Sequence, residues 1–383
     1  MHHNIQPEIR ELVAAIKMFI EREVHPLEEK HRDLLARGEV DQEVFDICKD
    51  VMFKSIEAGF FAMFMPEEVG GQGIGEYEMC LVREEVARGN SHLCMMMLGE
   101  LPFGPNKMIG TLSTPEQREK YLLPLMRGEK TTGIALTEPD AGSDLAAIRT
   151  MARRVEGGFI LNGSKHFISN APFADFLQVM ARVEGEEGGG YSMFLVDKDA
   201  YRIGQIQHSM GGDDIQSEVF FDDAFVPESS LLGEAGKAFY YAMQFLGNER
   251  LTMASLSIGM AELALKHAKE YAKDRIAFGK PIYNNQAIQW MIADSETEIY
   301  AARAMCYDAA QRADAGEDVF KEISMVKLFA TEMVGRVADR AVQIFGGAGY
   351  MKGNVVERLY RLVRVMRIAG GSSEIQRMII ARS

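Results

Sequence analysis

Five short stretches carry the side chains in this 383-residue chain whose types and spacing suit chemistry on a bound small molecule. In Leu246–Leu251, LGNERL, a carboxylate stands beside a guanidinium. Glu249 could take a proton from a substrate held within hydrogen-bond reach, or Glu249 and Arg250 could be one of the ion pairs common on any helix surface. In Thr132–Asp144, TGIALTEPDAGSD, an apolar run through Leu136 breaks at Glu138-Pro139-Asp140, because Pro139 fixes φ and removes a donor. Gly142 has no Cβ and lets the backbone come close to another group, with Thr137, Ser143 and Asp144 around it. The same residues would also make a plain polar turn. Asp274–Ile282, DRIAFGKPI, with Gln286 beyond it, sets Arg275 and Phe278 at a Gly-Lys-Pro helix stop. In Gln343–Gly349, QIFGGAG, the glycines permit close backbone approach to phosphate. In Gly370–Glu374, GGSSE, Ser372 is a natural N-cap, and the helix start behind it can face an anion.

Composition narrows the choices. A formal net charge of −14 argues against nucleic acid, which needs concentrated Lys and Arg, but not against an anionic small ligand. The four cysteines (Cys48, Cys80, Cys94, Cys306) have no CxxC spacing and are expected reduced in apolar surroundings. The eight histidines include no HExxH pair, so no catalytic metal is expected. No apolar run reaches the ~18 residues of a membrane span, and the N-terminus lacks the features of a signal or transit peptide. The expected location is the cytoplasm, with no membrane association.

The elements that must position these residues change character along the chain. Leu12, Val13, Ile16, Phe19, Ile20 and Val24 recur at helical spacing, and Pro26 falls where the periodicity fails. Further helices are expected over Asp41–Met52, Tyr77–Arg88 and Thr114–Gly128, the last with an N-cap Thr and Pro at its first position. Pro66–Gly73 reads as a tight loop. Leu93–Leu101, LCMMMLGEL, reads as core filler. From Glu129 to about Gly233 the runs are short, β-rich and separated by turn residues, with Gly157-Gly158 as a hairpin turn and Glu184–Gly190 as a solvated tip. Strands at this spacing suggest a small barrel or sandwich. Long amphipathic runs over roughly 238–272, 285–313, 321–345, 353–366 and 372–382 suggest a bundle. The expected domains are 1–128, 129–233 and 234–383.

In that order, TEPDAGSD, FISN (Phe167–Asn170), RIAFGKPI…Q and QIFGGAG resemble the signatures of the acyl-CoA dehydrogenase family, and the resemblance runs nearly end to end. It implies an N-terminal α-helical domain, a middle β-barrel domain and a C-terminal four-helix-bundle domain. The cofactor would be FAD. Leu136, Thr137, Gly142, Ser143, Phe167 and Ser169 would touch flavin or substrate, with Phe167 where many members have Trp. Arg275, Phe278, Gln286, Gln343, Gly346, Gly347, Ser372 and Glu374 would hold FAD. The RIAFGKPI…Q part would reach the nucleotide of a neighbouring subunit, which implies a homotetramer. Met95 and Leu98 would line the acyl cavity, and the PEEVGGQG loop resembles another family element.

The implied reaction oxidises an acyl-CoA thioester to its trans-2-enoyl form, with the α-proton going to a carboxylate and the β-hydride to flavin N5. Electrons would pass to an electron-transferring flavoprotein. In many members the base lies in the loop before the last helix, where this chain has Gly370. A subgroup typified by isovaleryl-CoA and long-chain acyl-CoA dehydrogenases places its Glu immediately before an Arg, which matches Glu249-Arg250. Glu249 is therefore the expected base and the Gly370 N–H the expected thioester donor. Arg250 would position its helix or the CoA moiety. Gly371 with Gly370 would leave room for a branched, bulky or long acyl group. Two rivals share these residues: an oxidase of the same fold, and a non-catalytic FAD-holding subunit of a mixed assembly.

Overall fold

The structure, a computed structural model, describes residues 6–100, 103–185, 190–212 and 215–383, without the side chains of His92 and Met95. Most of the Glu184–Gly190 tip, and Leu101 of the Met-rich run, fall outside the described residues. The chain folds as two compact units. One contains residues 1–30, 75–94 and 246–383, and the other 31–74 and 95–245.

The helices that matter below are α1 (Pro7–Phe19), α2 (Gln42–Glu57), α3 (Glu76–Arg88), α4 (Ala238–Asp274), α5 (Gln286–Asp314), α6 (Phe320–Phe345), α7 (Val355–Leu362) and α8 (Ser373–Arg382). Their starts follow local chemistry. Asp41 caps α2 by accepting from Val44 N at 2.9 Å. Thr114 and Gln117 exchange two bonds in a capping box, and Gln117 also donates to the carbonyls of Ser229 and Leu231. Pro26 does not end the first helix. An i→i+5 turn over Ile20–Val24 precedes it, and helix resumes over His25–Lys30. Pro26 thus occupies the first turn of the resumed segment, where a missing N–H costs least.

The helical unit packs α6 against α5, α7 and α8, and α3 against α1 and α5. Gly259 lets α4 lie on α3, since a Cβ there would stand 2.4 Å from the Glu84 carbonyl oxygen. Nearly buried charges join α3, α4 and α5. Arg88 binds Glu262 and Glu84, and Arg303 binds the same two carboxylates. Asp314, the last residue of α5, accepts from the amides of Glu76 and Tyr77 and so caps α3. Among the described residues no helix is long and apolar enough to cross a membrane.

The other unit is built on one eight-stranded sheet: β1 (Thr132–Ala135), β2 (Met151–Val155), β3 (Gly158–Ser169), β4 (Phe176–Val183), β5 (Tyr191–Asp197), β6 (Arg202–Gln207), β7 (Gln216–Pro227) and β8 (Leu231–Leu232). The order is β6-β7-β3-β2-β4-β5-β8, and β1 runs parallel to β4. β4 is buried along almost its whole length. The sheet wraps an apolar core, with Phe159, Leu161, Leu177, Val179, Phe194, Val219 and Phe221 among its buried residues. The β2–β3 hairpin turns at Glu156-Gly157, one residue earlier than the Gly-Gly pair suggests, with Gly158 already paired to Val155.

Candidate active site

Glu249 stands on α4, and Gly370 stands in the loop before α8. A Cβ built on Gly370 would lie 3.9 Å from Oε2 of Glu249 and 2.7 Å from Sδ of Met253. The carboxylate from α4 therefore sits beside the space that a side chain at 370 would enter. Gly370 and Gly371 have φ of +64° and +90°, a region glycine occupies without steric cost. Their carbonyls are fixed from the bundle side. Lys327 Nζ donates to Gly371 O at 2.8 Å, and Gln376 Nε2 donates to Gly371 O at 2.9 Å and to Gly370 O at 3.3 Å. Burial and the nearby Arg250 charge pull the Lys327 ammonium down to about 8, against Glu332 and Glu374. Half-buried Ser372 accepts from Ile375 N and caps α8, as its sequence suggests. The carboxyl of exposed Glu374 is held below its usual range by its own amide and then by the Ser372 hydroxyl.

Arg250, the residue after Glu249 on α4, is buried. Its side chain is 2 % exposed. Its guanidinium lies 5.0 Å from the Phe320 ring centroid and donates to Ser324 Oγ at 3.4 Å. These contacts tie α4 to α6 through Arg250.

DRIAFGKPI and QIFGGAG, both expected to hold FAD, follow helix ends that touch. Tyr271 near the end of α4 stacks on Phe345 at the end of α6, with centroids 4.2 Å apart. Arg275 follows four residues after Tyr271, and Gly346 follows Phe345. DRIAFGKPI is a small hairpin, with Ile276–Ala277 (β9) paired to Lys280–Pro281 (β10), and not only a helix stop. Its two-residue turn, Phe278-Gly279, has φ of +51° and +79°, the pattern of a type I′ turn. That turn leaves Phe278 fully exposed. Arg275, Gln286, Gln343, Gly346 and Gly347 are exposed as well. A Cβ built on Gly279, Gly346 or Gly347 would meet nothing within 4 Å, so open space lies beside each.

In the sheet unit, the TEPDAGSD loop is tied down by an ion pair that sequence reasoning passed over. Lys165 is fully buried, and its Nζ donates to Leu136 O at 3.0 Å and to Glu138 Oε1 at 2.8 Å. Glu138 also accepts from the amides of Arg149 and Thr150. Burial pushes the Glu138 carboxyl up, but Lys165 and these donors outweigh it and hold it below its usual range. Burial brings the Lys165 ammonium down to about 8 against the pull of Glu138, so the pair is charged at neutral pH. The clue was available. Lys165 is in phase with Phe159 and Leu161 on an alternating strand, where a charge needs a buried partner.

Above this pair, Leu136 is buried, Thr137 is half-buried, and Gly142 and Ser143 are exposed, with open space beside Gly142. Ser169 is half-buried. Phe167 is 61 % exposed and has φ of +58°. Leu98 is buried, with its carbonyl accepting from Ala62 N, while the side chain of Met95 lies outside those described. Strained, outward-facing aromatics and cradles without side chains suit a flat ring and a pyrophosphate, which fits a bound FAD.

Comparison with known proteins bears on the family and the fold. Three family models match in series: the acyl-CoA dehydrogenase N-terminal domain over residues 6–129, the middle domain over 133–224 and the C-terminal domain over 236–383. A 3-(aryl)acrylate reductase of Clostridium sporogenes is 38 % identical over 95 % of this chain and 94 % of its own. The caffeyl-CoA reductase-Etf complex subunit CarC of Acetobacterium woodii is 39 % identical over 90 % of each. A solved acyl-CoA dehydrogenase from Geobacillus kaustophilus superposes with a TM-score of 0.90 at 33 % identity, over 100 % of this chain and 99 % of that one.

Proposed function

The chain belongs to the acyl-CoA dehydrogenase family, and from that premise we propose that it moves hydrogen at Cα and Cβ of a bulky acyl-CoA thioester, with Glu249 as the base at Cα. It is an FAD-dependent oxidoreductase of acyl-CoA dehydrogenase type. The observation that carries the proposal is the 3.9 Å between the Glu249 carboxylate and the place of a Gly370 side chain. The two positions at which the family sets its base converge in this chain, and only one of them holds a carboxylate.

When bound, FAD supplies the two-electron acceptor for the β-hydrogen. Glu249 takes the α-proton as the Cα–H bond breaks. The Gly370 N–H donates to the thioester oxygen, where negative charge develops, in a loop held still by Lys327 and Gln376. The absence of a side chain at 370 and 371 leaves room for a branched, aromatic or long acyl group, as in the isovaleryl-CoA and long-chain subgroup. Leu98 and Met95 are the proposed acyl-side contacts.

Leu136, Thr137, Gly142, Ser143, Phe167 and Ser169 are the proposed flavin contacts of the sheet unit, with Ser143 also toward substrate. Arg275, Phe278, Gln286, Gln343, Gly346, Gly347, Ser372 and Glu374 are those of the helical unit, the hairpin residues serving the FAD of a neighbouring copy. A homotetramer follows, and exposed Ile276, Phe278, Trp290 and Tyr300 supply apolar surface for it. The proposed electron partner is an electron-transferring flavoprotein, and the proposed location is the cytoplasm.

A second reading runs the same chemistry backward. Two relatives named as reductases support it, one of them a subunit of an Etf complex. Reduction of an enoyl-CoA would return a proton to Cα from the Glu249 carboxyl. Anaerobic spectra separate the readings. A saturated acyl-CoA that bleaches the oxidised flavin supports oxidation. A flavin that resists every saturated acyl-CoA, but recolours when the reduced protein meets an aryl-acrylyl thioester, supports reduction. Peroxide formed in air would point to the oxidase.

Arg275→Ala removes a charge-assisted partner of pyrophosphate. FAD binding should weaken by roughly 10–100-fold, the equivalent of ~1.5–3 kcal/mol, read by flavin fluorescence on dilution. Light scattering of the loaded protein should return four chains per particle, and a monomer still saturated with FAD would contradict the shared nucleotide site.

A further inference from the structure

The strand that carries Phe167 contains a built-in irregularity. Lys165 pairs with Val219 and Ile168 with Ser217, so His166 and Phe167 together face the single residue Glu218. This is a β-bulge, which re-aims side chains. Lys165 and Ile168 point into the core, and His166 and Phe167 both turn outward. Their rings meet edge to face with centroids 4.1 Å apart.

The bulge is held by a side-chain chain that reaches across the sheet. The Phe167 N–H donates to Gln207 Oε1 at 3.0 Å. The other end of the same amide, Gln207 Nε2, stands 2.8 Å from His166 Nε2 and 3.2 Å from His166 Nδ1. Because Oε1 is committed to an N–H donor, the atom facing the imidazole is the amide nitrogen, which can only donate. One of the two His166 nitrogens must therefore accept from it, so the ring is neutral in this arrangement. A protonated His166 would present N–H to N–H. Flipping the Gln207 amide would satisfy the imidazolium but turn the NH₂ onto the Phe167 amide, so no orientation serves both. The charged groups around the ring are Glu218 on β7, with Oε1 3.7 Å from Nδ1, and Lys165 on β3, whose ammonium is committed to Glu138 on the other face. Glu218 is steadied by the Gln205 amide at 3.2 Å and offers a protonated His166 an alternative partner.

We infer that Gln207 and His166 are positioning residues for Phe167: they hold it in its left-handed, outward-facing conformation while His166 is neutral and release it when His166 takes a proton. The consequence for FAD rests on the proposed contact between Phe167 and the flavin. The hold on the Phe167 amide does not.

Hydrogen exchange on the FAD-loaded protein tests the hold, and flavin fluorescence at the same pH values tests its consequence. Between about pH 8 and about pH 5, protection of the Phe167 amide should fall at least about tenfold after correction for intrinsic exchange. His166→Gln, which offers an acceptor that does not titrate, should keep the protection and flatten its pH dependence. Gln207→Leu should lose protection throughout, with circular dichroism confirming the fold. Protection that does not change with pH in the native chain, or that changes equally in His166→Gln, overturns the inference. If protection follows pH as stated while FAD affinity does not, the hold stands and the Phe167–flavin contact fails.

Discussion

Glu249→Gln should leave FAD content and assembly unchanged while slowing flavin reduction by a saturated acyl-CoA by ~10²–10⁴-fold, roughly 3–5 kcal/mol of barrier. Gln keeps the shape and polarity of the side chain but cannot accept the α-proton. Glu249 is not among the residues proposed to hold FAD, so binding should not change with the rate. Stopped flow under argon separates the two. A native rate in the variant would move the base elsewhere. Returning a carboxylate through Gly370→Glu is not expected to restore the rate by itself. Residue 370 is left-handed, and its Cβ would press on Met253 Sδ. Adding Met253→Ala clears the contact, and the remaining backbone cost is about 1–2 kcal/mol. Partial recovery is expected in the triple variant, most readily with unbranched acyl groups.

Lys165→Met should destabilise the protein by about 3–5 kcal/mol, because it leaves the Glu138 carboxylate buried without its cation. The Leu136 carbonyl loses its donor at the same time, which loosens the TEPDAGSD loop. Denaturant unfolding measures the first effect, and loss of bound FAD measures the second. The pH dependence follows from Glu138, whose pKa is depressed in the fold. Its contribution is fully present above the ordinary value of 4.5 and lost as pH falls through the depressed one. Native protein should therefore weaken on acidification below about pH 4.5, and Lys165→Met should show less of that acid-side loss. A variant as stable as the native chain would mean that the pair does not anchor the loop.

Much of this architecture could be read from the chain because period and punctuation agree. The amphipathic runs read as 238–272 and 321–345 are helices Ala238–Asp274 and Phe320–Phe345, since stripes of that length leave little ambiguity. The glycine-rich stretches stand out in the sequence, and open space lies beside Gly142, Gly346 and Gly347. Other features depend on partners distant in sequence. Arg250 looks like an exposed partner of Glu249 until Phe320 and Ser324 close over it. Lys327, in phase with Ile323 and Val334 on α6, shows its purpose only once the Gly371 carbonyl reaches it. A β-bulge has no local signature, because it is defined by register against β7, so the outward turn of Phe167 and the part played by Gln207 were invisible. The type I′ turn at Phe278-Gly279 was hidden because a bulky residue fills a position usually held by Asn, Asp or Gly.

Proton abstraction from Cα by Glu249 can be observed without any external electron acceptor. Acyl-CoA incubated anaerobically in D₂O with the FAD-loaded protein should gain deuterium at Cα, followed by mass spectrometry. Native protein should exchange the position, and Glu249→Gln should do so at least ~10²-fold more slowly at equal FAD content. Exchange at the native rate in Glu249→Gln would contradict the assignment of the base, whichever direction the reaction runs.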